Sequence, residues 1–236
     1  NKAFLSSESK DKIKDSAIEE IYDFGELGFN GSFEQYIAIV INTAKTPYET
    51  KVVSLDNDYS VIQKQRYITD SELPCWILYR SETFDSVYSK LQFNIFTVVS
   101  GSYIKQRDYD AGGNVCVISA ACIDTEGNVN INNDCRYVLS SSLKDDAMYS
   151  YIQRDDIFFA SKKSSIIKVG KKPKGCIPSP STVLLIPKKD VEITSDDLKY
   201  FTTKEFKQFY DTALNHQGFH LSANCISQYF LGKTVK

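Results

Sequence analysis

No apolar run in this chain is longer than a strand. The longest is YIAIVIN, residues 36–42. Nothing approaches the roughly 18–20 apolar residues that carry a helix across a bilayer. The chain must therefore bury its apolar surface by stacking many short elements. With 42% hydrophobic and 25% charged residues among 236, it reads as a soluble, cytoplasmic globular protein of one large or two small domains. The net charge of −2 argues mildly against a compact nucleic-acid module, which is often basic. The opening NKAFLSSESKDK has neither a signal-peptide core nor an initiator Met, and reads as a piece of a longer polypeptide.

The stretch IYDFGELGFNGSFEQYIAIVIN, residues 21–42, sets Gly25, Gly28 and Gly31 at a spacing of three. A phosphate-binding loop needs the order strand, glycine loop, helix, because the helix N-terminus supplies the free N–H groups. Here the glycines lead into FEQYIAIVINTA, whose unbroken β-branched and aromatic run predicts a strand buried on both faces. There is no GxxxxGK[ST] and no GxGxxG. The stretch reads as strand, bend, strand.

Around it, SKDKIKDSAIEEI has helical spacing at Ile13, Ala17, Ile18 and Ile21. KTPYET predicts a turn and KVVSLD a strand. SETFDSVYSKL predicts a helix capped by Ser81. From residue 96 onward the runs NIFTVVSGSYI, NVCVISAACI, IFFAS, SSIIKVG, GCIPSPSTVLLIPK and VEI predict strands, with DTEGNV a turn. Thr194 or Ser195 caps a helix, Thr202 or Thr203 caps KEFKQFYDTALNH, and Gly218 ends it. ISQYFLG predicts a final strand.

Chemistry-bearing patterns are sparse. The six cysteines have no CxxC spacing and read as free intracellular thiols, with no metal site. His216 and His220 lack an HExxH frame, and Asp155 and Asp156 read as solvated turn acids. Basic residues cluster once: KKSSIIKVGKKPK holds Lys162, Lys163, Lys168, Lys171, Lys172 and Lys174 with no acid among them. Two readings stand, a solvated face or a phosphate-binding edge. A second stretch, SGSYIKQRD, interleaves Tyr103 with Lys105 and Arg107, as surfaces that hold nucleic acid do.

Four segments in order resemble one family. SSESKDKIKDSAIEEIYDFGELGFNGSFEQYIAIVINTAK, VISAACIDTEGNV, YIQRDDIFFAS…VGKKPKG…STVLLIPK and LKYFTTKEFKQFYDTALNHQGFHLSANCISQYFLG are similar to the C-terminal part of bacterial adenine-specific (N6) DNA methyltransferases with a TaqI-like specificity domain. The resemblance covers nearly the whole chain. It implies an α+β fold: a short α/β remnant of a Rossmann-like methylase sheet (1–55), a connecting segment (56–95) and a mixed, β-rich target-recognition domain with a C-terminal helical segment (96–236). It implies double-stranded DNA and an upstream methylase domain of the same polypeptide as partners, in a restriction–modification context. The family's (N/D)PP(Y/F) motif and S-adenosylmethionine loop have no counterpart here, so this fragment itself carries no catalytic residue and no cofactor, and S-adenosylmethionine belongs to the full-length parent. Ser119–Cys122 and Gly218–Leu221 depart from the family, whose members often carry basic residues at the first and a TRSL-like run at the second. The resemblance implies that Lys162, Lys163, Lys168, Lys171, Lys172 and Lys174 position DNA phosphates and that the loops at Tyr103–Arg107 and Ser119–Asn128 read bases. A specificity subunit of a multi-subunit restriction–modification system is the alternative; a free-standing small-molecule enzyme lacks a site.

Overall fold

A computed structural model describes residues 1–25, 35–44, 49–55, 61–65 (backbone only), 72–101, 103–132, 135–144, 146–163, 166–217, 220–221 and 226–235. The chain is α+β and divides into two compact units: Asn1–Ser86 with Asp211–Gln217, and Val87–Tyr210 with Gly218–Lys236. No helix among the described residues is long and apolar enough to cross a membrane.

The first unit is built on β1 (Ala17–Gly25), β2 (Tyr36–Asn42), β3 (Thr50–Ser54) and β4 (Val61–Gln65), in the order β2-β1-β3-β4. β1 runs antiparallel to β2, with Ile21 opposite Ile39, and parallel to β3, with Ile21 opposite Val52. The helix expected over residues 9–21 is absent: Glu8–Lys12 form a 3-10 turn and Ala17 onward is strand. The reason lies in the register. Ile18 faces Ile41 but Glu20 faces Val40, so an extra residue bulges from β1 at Glu19. A bulge shifts the alternation by one. Ile18 and Ile21, three apart, therefore both enter the core with Leu5, Val52, Trp76 and Leu78. A bulged strand thus carries the i,i+3 spacing of a helix.

β2 also departs from expectation. It is the edge strand rather than one buried on both faces, and Val40 and Ile41 are exposed. Gly25 ends β1 at φ +53°, where a side chain is strained. Gly28, Gly31 and most of the KTPYET turn lie outside the described residues. The segment Asp211–Gln217 completes this unit. The Asn215 carboxamide accepts from the Leu78 N–H at 2.7 Å and donates to the Trp76 carbonyl at 2.8 Å. Asn215 and His216 adopt positive φ (52° and 55°), so they reverse the chain after the helix. Gly218 lies outside the described residues.

The second unit begins within α1 (Glu82–Tyr88), where Ser81 Oγ accepts from the Phe84 N–H as expected of a cap. It continues through β5 (Leu91–Gln92), β6 (Phe96–Ser100), β7 (Val115–Ile118), β8 (Arg136–Val138), β9 (Phe158–Ser161), β10 (Val169–Lys171), β11 (Cys176–Pro178) and β12 (Thr182–Pro187). Then come α2 (Ser195–Tyr200), α3 (Lys204–Ala213), α4 (Ile226–Tyr229) and β13 (Lys233–Thr234). Three sheets result, ordered β10-β9-β12-β6, β11-β7-β8 and β13-β5. β7, β9 and β11 are buried at every position, as is β12 from Thr182 to Leu185. Phe159 and Leu184 of the first sheet share a core with Val115, Ile118 and Ile177 of the second. Residues 191–193, expected as strand, are irregular.

Thr194 caps α2 in a full capping box with Asp197, and Thr203 Oγ1 accepts from the Phe206 N–H. ISQYFLG forms the short α4 and a turn instead of a strand. One helical turn sets Ser227, Phe230 and Leu231, spaced i, i+3 and i+4, on the buried side. The Tyr210 hydroxyl fixes that turn by donating to the Ser227 carbonyl at 2.7 Å.

Candidate nucleic-acid interface

β6, β12, β9 and β10 alternate in direction. One rim of their sheet therefore gathers Ser100, Thr182, Ser161 and Val169 together with the loops attached to them. The second sheet ends at the same rim. The Ser179 N–H and the Thr182 hydroxyl both donate to the Ile118 carbonyl, at 2.9 and 2.8 Å. The Ala120 N–H donates to Ser181 Oγ at 3.1 Å, and the Lys162 N–H to the Ser181 carbonyl at 2.9 Å. Gly101 passes against Pro178 and Ser179 so closely that a Cβ there would lie 2.6 Å from the Ser179 carbonyl oxygen. Loops from four separate stretches of chain thus meet along one edge.

Tyr103, Lys105 and Arg107 are exposed on this rim, Tyr103 at 81%. The segment then crosses to β8. The Tyr109 ring lies 5.1 Å beneath the Arg136 guanidinium, which also donates to the Gln106 carboxamide oxygen at 3.0 Å. Arg136 pairs with Val117, one residue short of the end of β7, so it stands at the same rim. The DTEGNV turn forms as expected. Asp124 accepts from the N–H groups of Glu126 and Asn128 and from the side chains of Asn128 and Asn130. Those bonds, the Asn128 carboxamide foremost, hold its carboxyl below the usual carboxylate range. Lys162, Lys163 and Lys168 flank the β9–β10 hairpin here. The Ser161 N–H donates to the Lys168 carbonyl at 3.0 Å.

The lysine run is not one strip. β10 carries the chain from this rim to the opposite one, about 10 Å away at the rise of a strand. Lys171 and Lys174 stand there, Lys174 at 3.4 Å from Asp155. A cavity of about 340 Å³ lies beside them, lined by Asp155, Asp156, Phe158, Lys171, Pro187 and Lys188 among others. Asp156 is held in two bonds by Arg154, at 2.8 and 2.6 Å. Lys172 is 1% exposed. Its ammonium donates to the carbonyls of Ile152, Arg154 and Pro173 at 3.0, 2.7 and 3.0 Å. Burial pushes it down to about 8. Of the six lysines expected to position phosphates, Lys172 is withdrawn into the core, and Lys171 and Lys174 face away from Lys162, Lys163 and Lys168.

Two contributors to the rim carry no signal for it in the sequence: Arg136 and His220. Arg136 sits in NNDCRYVLS, where no basic pattern marks it. His220 is brought to Lys162 only by the fold, through the Leu221 N–H, which donates to the Lys162 carbonyl at 2.9 Å. Five cysteines among the described residues are buried as free thiols, with Cys122 and Cys135 Sγ 3.7 Å apart. Among the described residues no group of His, Cys, Asp and Glu side chains is placed to hold a metal ion. In comparisons with known proteins, no family model and no curated protein matches the chain.

Proposed function

We propose that this chain is the DNA target-recognition region of a site-specific adenine-N6 DNA methyltransferase in a restriction–modification system. On this reading β1–β3 close a Rossmann-like methylase sheet in the cytoplasm. The upstream part of the same polypeptide binds S-adenosylmethionine, flips the adenine out of the duplex and methylates it. The observation that carries the reading is the convergence at one rim. The Tyr103–Arg107 loop, the Ser119–Asn128 loop, Arg136 and the hairpin lysines Lys162, Lys163 and Lys168 share it, although they come from separate stretches of chain. Lysines and arginines on such an edge hold phosphates, while loop side chains reach base edges.

A fragment of this kind binds duplex DNA weakly, with Kd roughly 10⁻⁴–10⁻⁶ M at physiological salt. Titration of a short fluorescent duplex at several salt concentrations tests the reading. Lys105→Glu with Arg107→Glu should weaken binding and reduce the salt slope by about one for each phosphate no longer neutralised. Lys171→Glu with Lys174→Glu, on the opposite rim, should leave the slope in place. No measurable binding, or equal weakening by both pairs, overturns the assignment of this rim.

A further inference from the structure

His220 is exposed, and the peptide group that follows it is held by two hydrogen bonds. The Ser227 hydroxyl donates to the His220 carbonyl at 2.9 Å, and Ser227 is itself buried. Leu221 is fully buried, and its N–H is the one bound to the Lys162 carbonyl. Lys162 is anchored in turn to Ser181, at the start of β12. His220 is therefore held at the first residues after β9, Lys162 and Lys163. Burial, then the charges of Lys162 and Lys163, hold the imidazole below the ordinary histidine range. Two lysines and an imidazole, from chain segments almost sixty residues apart, are brought together, and the ammonium charges oppose protonation of the imidazole. An anion held among the three groups favours the protonated imidazole.

We propose that Lys162, Lys163 and His220 form a phosphate-binding notch in which the protonated His220 imidazole donates to a phosphate oxygen and the two ammonium groups balance its charge. A tetrahedral phosphate offers oxygens in several directions and can meet donors arriving from two segments. The natural ligand, a backbone phosphodiester, rests on the DNA-recognition reading. The notch itself rests only on phosphate chemistry.

The chain has two histidines, so NMR of the imidazole Cε1–H protons isolates each one. His216 belongs to the other unit, with its ring 4.9 Å from that of Tyr79, and serves as an internal reference. The whole chain is titrated with pH alone, in inorganic phosphate, and with a short DNA duplex. Phosphate or duplex should raise the apparent pKa of His220 and leave His216 in place. Lys162→Met with Lys163→Met should raise the ligand-free His220 pKa by the part the two ammonium charges cause, leaving the part due to burial, and abolish the response. A thermal unfolding profile matching that of the wild type shows that the variant is folded. A response to phosphate without any DNA binding leaves the notch standing and removes the DNA reading. Salt-dependent DNA binding with His220 unmoved overturns the notch and spares the reading. No response in either arm, or equal movement of both histidines, overturns the notch.

Discussion

The Lys172 ammonium donates to the carbonyl oxygen of Arg154 across 2.7 Å, inside the second unit. Together with its bonds to Ile152 and Pro173, it commits its donors to backbone. Lys172→Met should destabilise the unit by about 2–4 kcal/mol in denaturant titration, because buried carbonyls lose their partner. The pH dependence has a definite sign. Folding lowers the Lys172 pKa from 10.5 to about 8. Between those values the unfolded chain holds a proton that the folded chain lacks, so stability rises with pH. The wild type should gain on Lys172→Met as pH climbs through this window, and the difference should be flat below it.

Gly101 is a steric hinge of the rim. A Cβ at this position would sit 2.6 Å from the Ser179 carbonyl oxygen and 2.8 Å from that of Pro178. Both are backbone atoms that cannot rotate aside. Gly101→Ala should cost about 1–3 kcal/mol and weaken DNA binding beyond what Lys105→Glu alone does. Thermal melting and duplex titration of the same sample measure the two effects.

In the first unit Lys2 and Asp23 form a buried ion pair at 2.6 Å, and the Tyr79 hydroxyl donates to the same carboxylate oxygen. Removing one partner leaves the other charged and dry. Asp23→Leu should destabilise by about 3–5 kcal/mol. Lys2→Met combined with Asp23→Leu should recover much of that loss, a non-additivity that a double-mutant cycle measures.

Asn215 does two jobs at once: it turns the chain at positive φ and bridges Trp76 to Leu78. Asn215→Gly keeps the turn and loses both hydrogen bonds; Asn215→Ala loses both bonds and strains the backbone. The alanine variant should be the less stable of the two, by about 1 kcal/mol. Equal midpoints in urea would show that the turn imposes no demand.

The helix caps at Ser81, Thr194 and Thr203 are legible in the sequence because a cap is a local bond between neighbours along the chain. The short buried strands are legible too, since VCVI, FFAS and TVLLIP leave no polar face to expose. Periodicity fails where two regular patterns coincide. Ile18 and Ile21 look helical only because a bulge at Glu19 intervenes. Ser227, Phe230 and Leu231 look like strand because the helical turn that joins them is a single one. YIAIVIN has the composition of a central strand, yet its place in the order of the sheet is an edge. At the candidate interface the sequence holds residue types but not which ends of a sheet they share. The split of the lysine run by β10, the burial of Lys172 and the meeting of His220 with Lys162 are all matters of strand direction and long-range pairing.

Strand order also fixes when this sheet can exist. β12 lies between β6 and β9, and Val98 pairs with Leu185. As the chain leaves the ribosome, β6 and β9 emerge without the strand that joins them, and the apolar faces of β6, β7 and β9 wait with them. Closure over such a separation is slow. The sheet, and with it the rim, comes into being only after Thr182–Pro187 has been synthesised, so a nascent chain cut short before that point would have no such rim.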